Sequence, residues 1–179
     1  MSAFITPLLA YGTVILDIAI VLGFAALLAK NSWGRDAVRL IGKHAEVFGL
    51  LVSLAAIAGS LIYSNVIGYA PCDLCWWQRI CLYPIPVILL VSLYKKHRNG
   101  FDFALPLAAV AALIALYHTY IQLGGSVSLG GCTAFGGACT KVYVLAFGYV
   151  TIPTMSLTVA LAVILLGVIK KSYDQNRHA

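Results

Sequence analysis

The chain has 179 residues, 61% of them hydrophobic and only 10% charged, with a mean hydropathy of +0.94. A soluble domain cannot solvate a surface of that composition, so the sequence specifies an integral membrane protein. The formal net charge of +6 does not point to nucleic acid, because the basic residues cluster in short stretches between apolar runs, where membrane topology puts them.

A bilayer core of about 30 Å takes about 20 apolar residues per helix, and five segments of the chain answer to that length. The first runs from Pro7 to Ala29 and lacks the basic leader and small-residue cleavage site of a removable signal, so it is expected to be a permanent helix. A polar connector, Lys30 to Lys43, leads to the second segment, Ala45 to Val66. The third, Trp76 to Tyr94, is bounded by Lys95, Lys96, His97 and Arg98, and the fourth spans Phe103 to Gln122. The fifth, Pro153 to Ile169, is shorter and ends at Lys170, Lys171 and Arg177.

Placing the basic-rich loops on the cytoplasmic side accounts for ten of the twelve Lys and Arg residues, leaving Arg79 and Lys141 elsewhere. The expected topology is multi-pass, N-terminus out and C-terminus in. Two loops then face outward: Ile67 to Cys75, with Cys72 and Cys75, and Leu123 to Ile152, with Cys132 and Cys139. Disulfides persist on that side of a membrane, so the sorting of cysteines agrees with the independent sorting of charges. The expected fold is all-α: residues 44–179 form a four-helix transmembrane bundle with two outward cysteine loops, and residues 1–43 add one N-terminal transmembrane helix with its cytoplasmic connector.

Glycines at 124, 125, 130, 131, 136 and 137 bracket the cysteines of the longer loop. They leave it mobile enough to present a disulfide to different partners, or make it an ordinary flexible connector. The apolar, aromatic stretch Val142 to Val150 is too short to span and is expected to lie in the interface.

A Cys-x-x-Cys pair can close a small, reactive disulfide, and a helix running from Trp76 would favour a thiolate at Cys75 through its N-terminal partial charge. By itself the motif also fits zinc sites. With Cys132 and Cys139 on the same face, the four cysteines are readable as one zinc site, as two static disulfides, or as two disulfides that exchange with each other. Cys81, six residues past Cys75, reads as a small core hydrophobe. Arg79 lies one helical turn beyond Cys75, at a depth where a charge needs a reason. Its guanidinium can hold a thiolate or polarise a ligand carbonyl, or it can snorkel to the surface. His118 and Gln122 repeat that i, i+4 spacing and can offer a proton carrier and a hydrogen-bond donor to the same ligand, or stand as interfacial polar residues. Asp17, near the middle of the first segment, is expected to be protonated or paired with a group on a neighbouring helix.

Together these residues resemble the DsbB family of membrane disulfide oxidoreductases. Pro71-Cys72-x-Leu74-Cys75 followed by Arg79 is similar to the family signature at the outer start of a helix, and His118-Thr119-Tyr120-Ile121-Gln122 looks like its His-x-x-x-Gln ahead of the second cysteine loop. The resemblance covers roughly residues 45–170. It implies an enzyme of a bacterial cytoplasmic (inner) membrane that reoxidises a secreted thioredoxin-fold partner of the DsbA type and passes the electrons to a quinone, ubiquinone or menaquinone, of the respiratory chain. It further implies that Cys72 and Cys75 are the quinone-coupled pair, with Cys75 nearest the ring, that Cys132 and Cys139 face the partner, and that Arg79, His118 and Gln122 contact the quinone. No metal is implied. Two features depart from the family pattern: the additional N-terminal helix, and a second pair separated by only six residues. In vitamin K epoxide reductase relatives the loop cysteines precede the Cys-x-x-Cys, the opposite of the order here.

Two rivals follow from the same residues. A reductase driving electrons outward would need a thiol or hydroquinone donor at the inner face, and no cysteine falls there. A non-catalytic membrane scaffold or transporter subunit would carry the same cysteines as structural disulfides.

Overall fold

A computed structural model describes residues 2–29, 31–95, 99–125 and 139–178. Cys132 and the glycines at 130, 131, 136 and 137 lie outside the described residues, as do Lys30, Lys96, His97 and Arg98. Among the described residues the fold is all-helical, apart from one isolated antiparallel bridge between Ala146 and Val150. The helices are α1 (Ser2–Leu28), α2 (Ser32–Leu61), α3 (Asp73–Leu82), α4 (Pro84–Lys95), α5 (Gly100–Gln122) and α6 (Ile152–His178). They supply five spans long and apolar enough to cross a membrane, with α3 and α4 counting as one.

Three boundaries differ from the hydropathy reading. The connector Lys30 to Lys43 is mostly helix, because Asn31 caps α2: its Oδ1 accepts the Gly34 N–H at 3.0 Å. The third segment starts earlier than Trp76, with Cys72 in extended backbone as the N-cap of α3, and it breaks at Tyr83. Pro84 has no N–H to continue the ladder, and as the first residue of α4 it restarts a helix cheaply. The fifth segment continues well past its apolar run, and α6 reaches His178. These charged extensions of α2 and α6 meet each other: a Cβ on Gly42 would lie 2.5 Å from the Tyr173 Cβ, so only glycine permits that approach.

The packing suits a lipid solvent, in which helices associate through small residues and close van der Waals contact. On α5, Ala104, Ala108, Ala111 and Ala115 are wholly buried, whereas Leu113 is 67% exposed. Ile85, Leu89, Phe101, Ala160 and Val163 complete the core, and Cys81 is buried in it as a small apolar group. The four-helix core consists of α2, α3–α4, α5 and α6, and α1 packs on its outside against α2 and α6. At the end of α2 nearest α3 the ladder widens into a π-helical turn over Ile62–Val66, closed by Ile67 N–H to Ile62 O at 3.0 Å.

Candidate functional site at the cysteine end

The N-terminal turn of α3 sets the geometry. Cys72 caps the helix and accepts the Trp76 N–H through its carbonyl at 3.1 Å, which leaves its side chain beside the first turn, where Cys75 sits. The two sulfurs are free thiols 3.2 Å apart. The thiol hydrogen bond from Cys75, helped by a further one from His118 and opposed by burial, holds the Cys72 thiol far below its ordinary range, at about 4. The expectation of a thiolate at Cys75 rested on a helix starting at Trp76. The helix starts at Asp73 with Cys72 as its cap, and the hydrogen bonds from Cys75 and His118 place the charge on Cys72.

His118 joins this pair to the second cysteine loop. It is 2% exposed on α5, and its Nε2 lies 3.7 Å from the Cys72 Sγ and 3.2 Å from the carbonyl oxygen of Cys139. A carbonyl can only accept, so Nε2 carries the proton. Nδ1 is then an acceptor for the Gln78 Nε2 at 3.2 Å. Gln78, likewise buried, therefore fixes the tautomer that turns an N–H toward Cys72. Sequence reading passed over Gln78. The available signal was its place three residues after Cys75, on the face shared by Cys75 and Arg79.

Cys139 is disulfide-bonded and packs with Cys72 and Ile121 in one small buried cluster, flanked by Leu74, Cys75 and Tyr117. Of the seven residues predicted for the site, Cys72, Cys75, His118 and Cys139 converge here, and Cys132 is outside the described residues. Arg79 and Gln122 stand at the rim of the same space. Arg79 does not snorkel free: its Nε donates to Ser60 Oγ at 3.0 Å, its second guanidinium nitrogen donates to Ser60 O at 3.1 Å, and the group lies 5.3 Å from the Trp76 ring centre. Gln122 donates from Nε2 to Lys141 O at 3.3 Å, while its Oε1 is buried with no hydrogen-bond partner among the described residues.

These residues border a cavity of about 440 Å³. Cys72, Cys75, Gln78, Arg79, His118 and Gln122 form its polar end, and aliphatic side chains of α1, α2 and α6 form most of the remainder. An amphiphile with a polar ring and an apolar tail matches that division. Cys72, Cys75 and His118 also bring two sulfurs and an imidazole nitrogen, all able to ligate a metal, within 4.8 Å of one another. Two thiolates on one tetrahedral zinc, with bonds of about 2.3 Å, would stand about 3.7 Å apart. The observed sulfur separation of 3.2 Å is tighter and favours a pair poised to bond to each other.

A family model described as "Disulfide bond formation protein DsbB" matches residues 42–169. The chain is 38% identical over 144 residues to the SPbeta prophage-derived disulfide bond formation protein B of Bacillus subtilis (strain 168), an alignment covering 76% of this chain and 96% of that protein. It is 34% identical over 127 residues to probable disulfide formation protein C 2 of Bacillus anthracis, covering 71% and 90%. A probable disulfide formation protein of Coxiella burnetii is 32% identical over 125 residues, covering 69% and 84%. No solved structure matches the chain.

Proposed function

The chain belongs to the DsbB family, with a disulfide-forming oxidoreductase role in a membrane, and from that premise we propose that it is a thiol:quinone oxidoreductase that reoxidises a DsbA-type thioredoxin-fold partner. Its cysteine end faces outward from a bacterial cytoplasmic membrane, and its N-terminus lies on that same side, as the loop charges favour. The observation that carries this reading is the line of contact from Cys72 through His118 to the Cys139 carbonyl, which ties the two cysteine loops to one buried histidine.

Electrons enter by exchange. A reduced partner dithiol opens the disulfide of Cys132 and Cys139, becoming a disulfide itself. The new loop thiols then open the disulfide of Cys72 and Cys75 and close their own. The Cys72–Cys75 pair is left half-ionised, with Cys72 as thiolate and the remaining proton on Cys75. His118 Nε2–H steadies that charge, and Gln78 holds the imidazole in the tautomer that does so.

A quinone fits the cavity on the evidence of its donor set. The buried Oε1 of Gln122 is an acceptor that a quinol hydroxyl would satisfy, and the Arg79 guanidinium, anchored on Ser60, sets a fixed positive charge at the polar end for a ring oxygen. When bound, a quinone supplies the electron sink: two electrons and one proton leave the half-ionised pair as its disulfide closes, and solvent provides the second proton of the quinol. Cys75, one turn from Arg79, is the sulfur assigned to face the ring.

Withdrawing quinone tests the reading against a scaffold with structural disulfides. With partner dithiol present, all four loop cysteines should accumulate as alkylatable thiols. Cysteines that stay oxidised under those conditions would support the scaffold.

A further inference from the structure

The family match begins at residue 42, so α1 lies wholly outside it. This helix is nevertheless part of the cavity. Leu8, Leu9, Gly12, Leu16 and Ala19 line it, and their spacing traces one helical stripe about 16 Å long at 1.5 Å per residue. Small residues of α2, Ala55, Ala56 and Gly59 among them, line the same cavity, and α1 packs against α2 closely enough there that a Cβ on Gly59 would lie 3.4 Å from Leu9 Cδ2. The cavity that these residues share with Arg79 and Ser60 is lined mostly by apolar side chains, with room beyond the polar end for more than a ring.

A specific clamp holds α1 there. Asp17 lies off the cavity stripe, toward α6. It accepts a hydrogen bond from Thr158 Oγ1 at 2.7 Å and another from the Tyr149 hydroxyl at 3.0 Å. Both partners are hydroxyls, so the carboxyl is satisfied without a counter-ion. Tyr149 belongs to the short segment after Cys139. There Phe147 takes the left-handed conformation (φ 53°) that side chains usually avoid, and it rests its ring edge-on against Tyr11 of α1, with centroids 5.1 Å apart. Lipid gives helices no hydrophobic drive to associate, so hydrogen bonds and close packing of this kind must keep α1 in place. An intramembrane carboxylate with named partners is the feature that asks for a function.

We propose that α1 is a wall of the quinone site added from outside the family core, with its Leu8–Ala19 face lining the path of the isoprenoid tail and the Asp17 clamp fixing that wall in position. The inference rests on the quinone reading above. The occupant it commits to is a prenylated quinone, whose ring is reduced to quinol as the Cys72–Cys75 dithiol becomes a disulfide.

The test uses the full chain in lipid vesicles, with the cysteines reduced, and a prenylated benzoquinone or naphthoquinone carrying a diazirine on its tail. After photolysis, peptide mapping reads where the tail lay, and alkylation reads whether the cysteines were oxidised. Label on residues 8–19, displaced by excess unlabelled quinone, is expected. Asp17→Leu should lower that label about 5-fold to 10-fold, as the loss of two hydrogen bonds that tie α1 to the bundle implies, while Asp17→Asn, which keeps an acceptor oxygen, should retain most of it. The wild-type pattern carries the test even if a variant fails to fold. Label confined to α2–α6 alongside oxidised cysteines would overturn the role of α1 and leave the quinone reading intact. Label on α1 that phospholipid displaces as well as quinone does would make the groove a lipid site and overturn the proposal. Absence of both label and cysteine oxidation would sink the quinone reading and this inference with it.

Discussion

The two ends of α5 present the same face to opposite kinds of surroundings. From Ala104 through Ala108, Ala111 and Ala115 the buried stripe is methyl groups against Ile85, Leu89 and Phe101. The next position on that stripe is His118, equally buried, against Gln78, Cys72 and the Cys139 backbone. One helix register therefore delivers a dry seam that determines how closely the helices approach, and then a single imidazole whose every polar atom is committed. The first can be changed only at the expense of packing. The second can be changed with the fold intact, and its effects should appear in the ionisation and reactivity of Cys72.

The largest effect should come from the polar end. Cys72→Ser should abolish oxidation of a reduced partner while leaving the melting temperature in lipid near that of the parent, measured by partner thiol loss and thermal unfolding side by side. Ala108→Leu should do the reverse. Overpacking the seam costs about 1–3 kcal/mol, visible as a lowered melting temperature, while the ionisation of Cys72 stays where it was.

Between these extremes lies His118. In the reduced protein Cys72 is held at about 4, so it is a thiolate at neutral pH and becomes a thiol only as the pH falls through that value. Its alkylation rate should therefore be flat from neutral pH down to about 5 and then drop. His118→Ala removes a hydrogen bond to the charged form and should move that drop upward by roughly one pH unit or more. A profile that does not move would remove His118 from the thiolate's support.

Gln78 gives the smallest and most discriminating change. Gln78→Leu should shift the same profile upward by about half a unit, since it frees the imidazole to take the wrong tautomer. Gln78→Glu should shift it downward, because a carboxylate beside Nδ1 favours a protonated ring and hence more positive charge facing Cys72. If Gln78 only fills space, the two substitutions would not move the profile in opposite directions.

Much of this architecture was legible in the sequence, for identifiable reasons. Apolar length reports where helices can cross lipid, so all five spans were found. It does not report where a helix ends, so the charged start of α2 looked like a connector although Asn31 offered a capping signal. The break at Tyr83 was likewise written in Pro84. Cys72 and Cys75 could be picked out by their Cys-x-x-Cys spacing in an outward loop, and Arg79, His118 and Gln122 because each is polar at a place where lipid-embedded helices avoid such groups. Their partners could not be. Gln78 meets His118 across 40 positions of chain, and Asp17 meets Thr158 across 141. Only the packing of the helices decides such pairings. The expectation that Asp17 pairs with a neighbouring helix agrees with the Thr158 contact. The thiolate expected at Cys75 falls at Cys72 instead, because Cys75 and His118 both direct hydrogen bonds at the Cys72 sulfur, and the His118 contact spans 46 positions of chain.

The most direct measurement follows the electrons from one end to the other. The purified protein in lipid is supplied with a reduced thioredoxin-fold partner and a quinone, and quinone absorbance is recorded beside partner thiol content. Consumption of one quinone for each partner dithiol oxidised, abolished by Cys72→Ser, is the expected result. Failure to consume either of the two quinone classes, benzoquinone or naphthoquinone, while the partner stays reduced would contradict it and leave the cysteines as static staples.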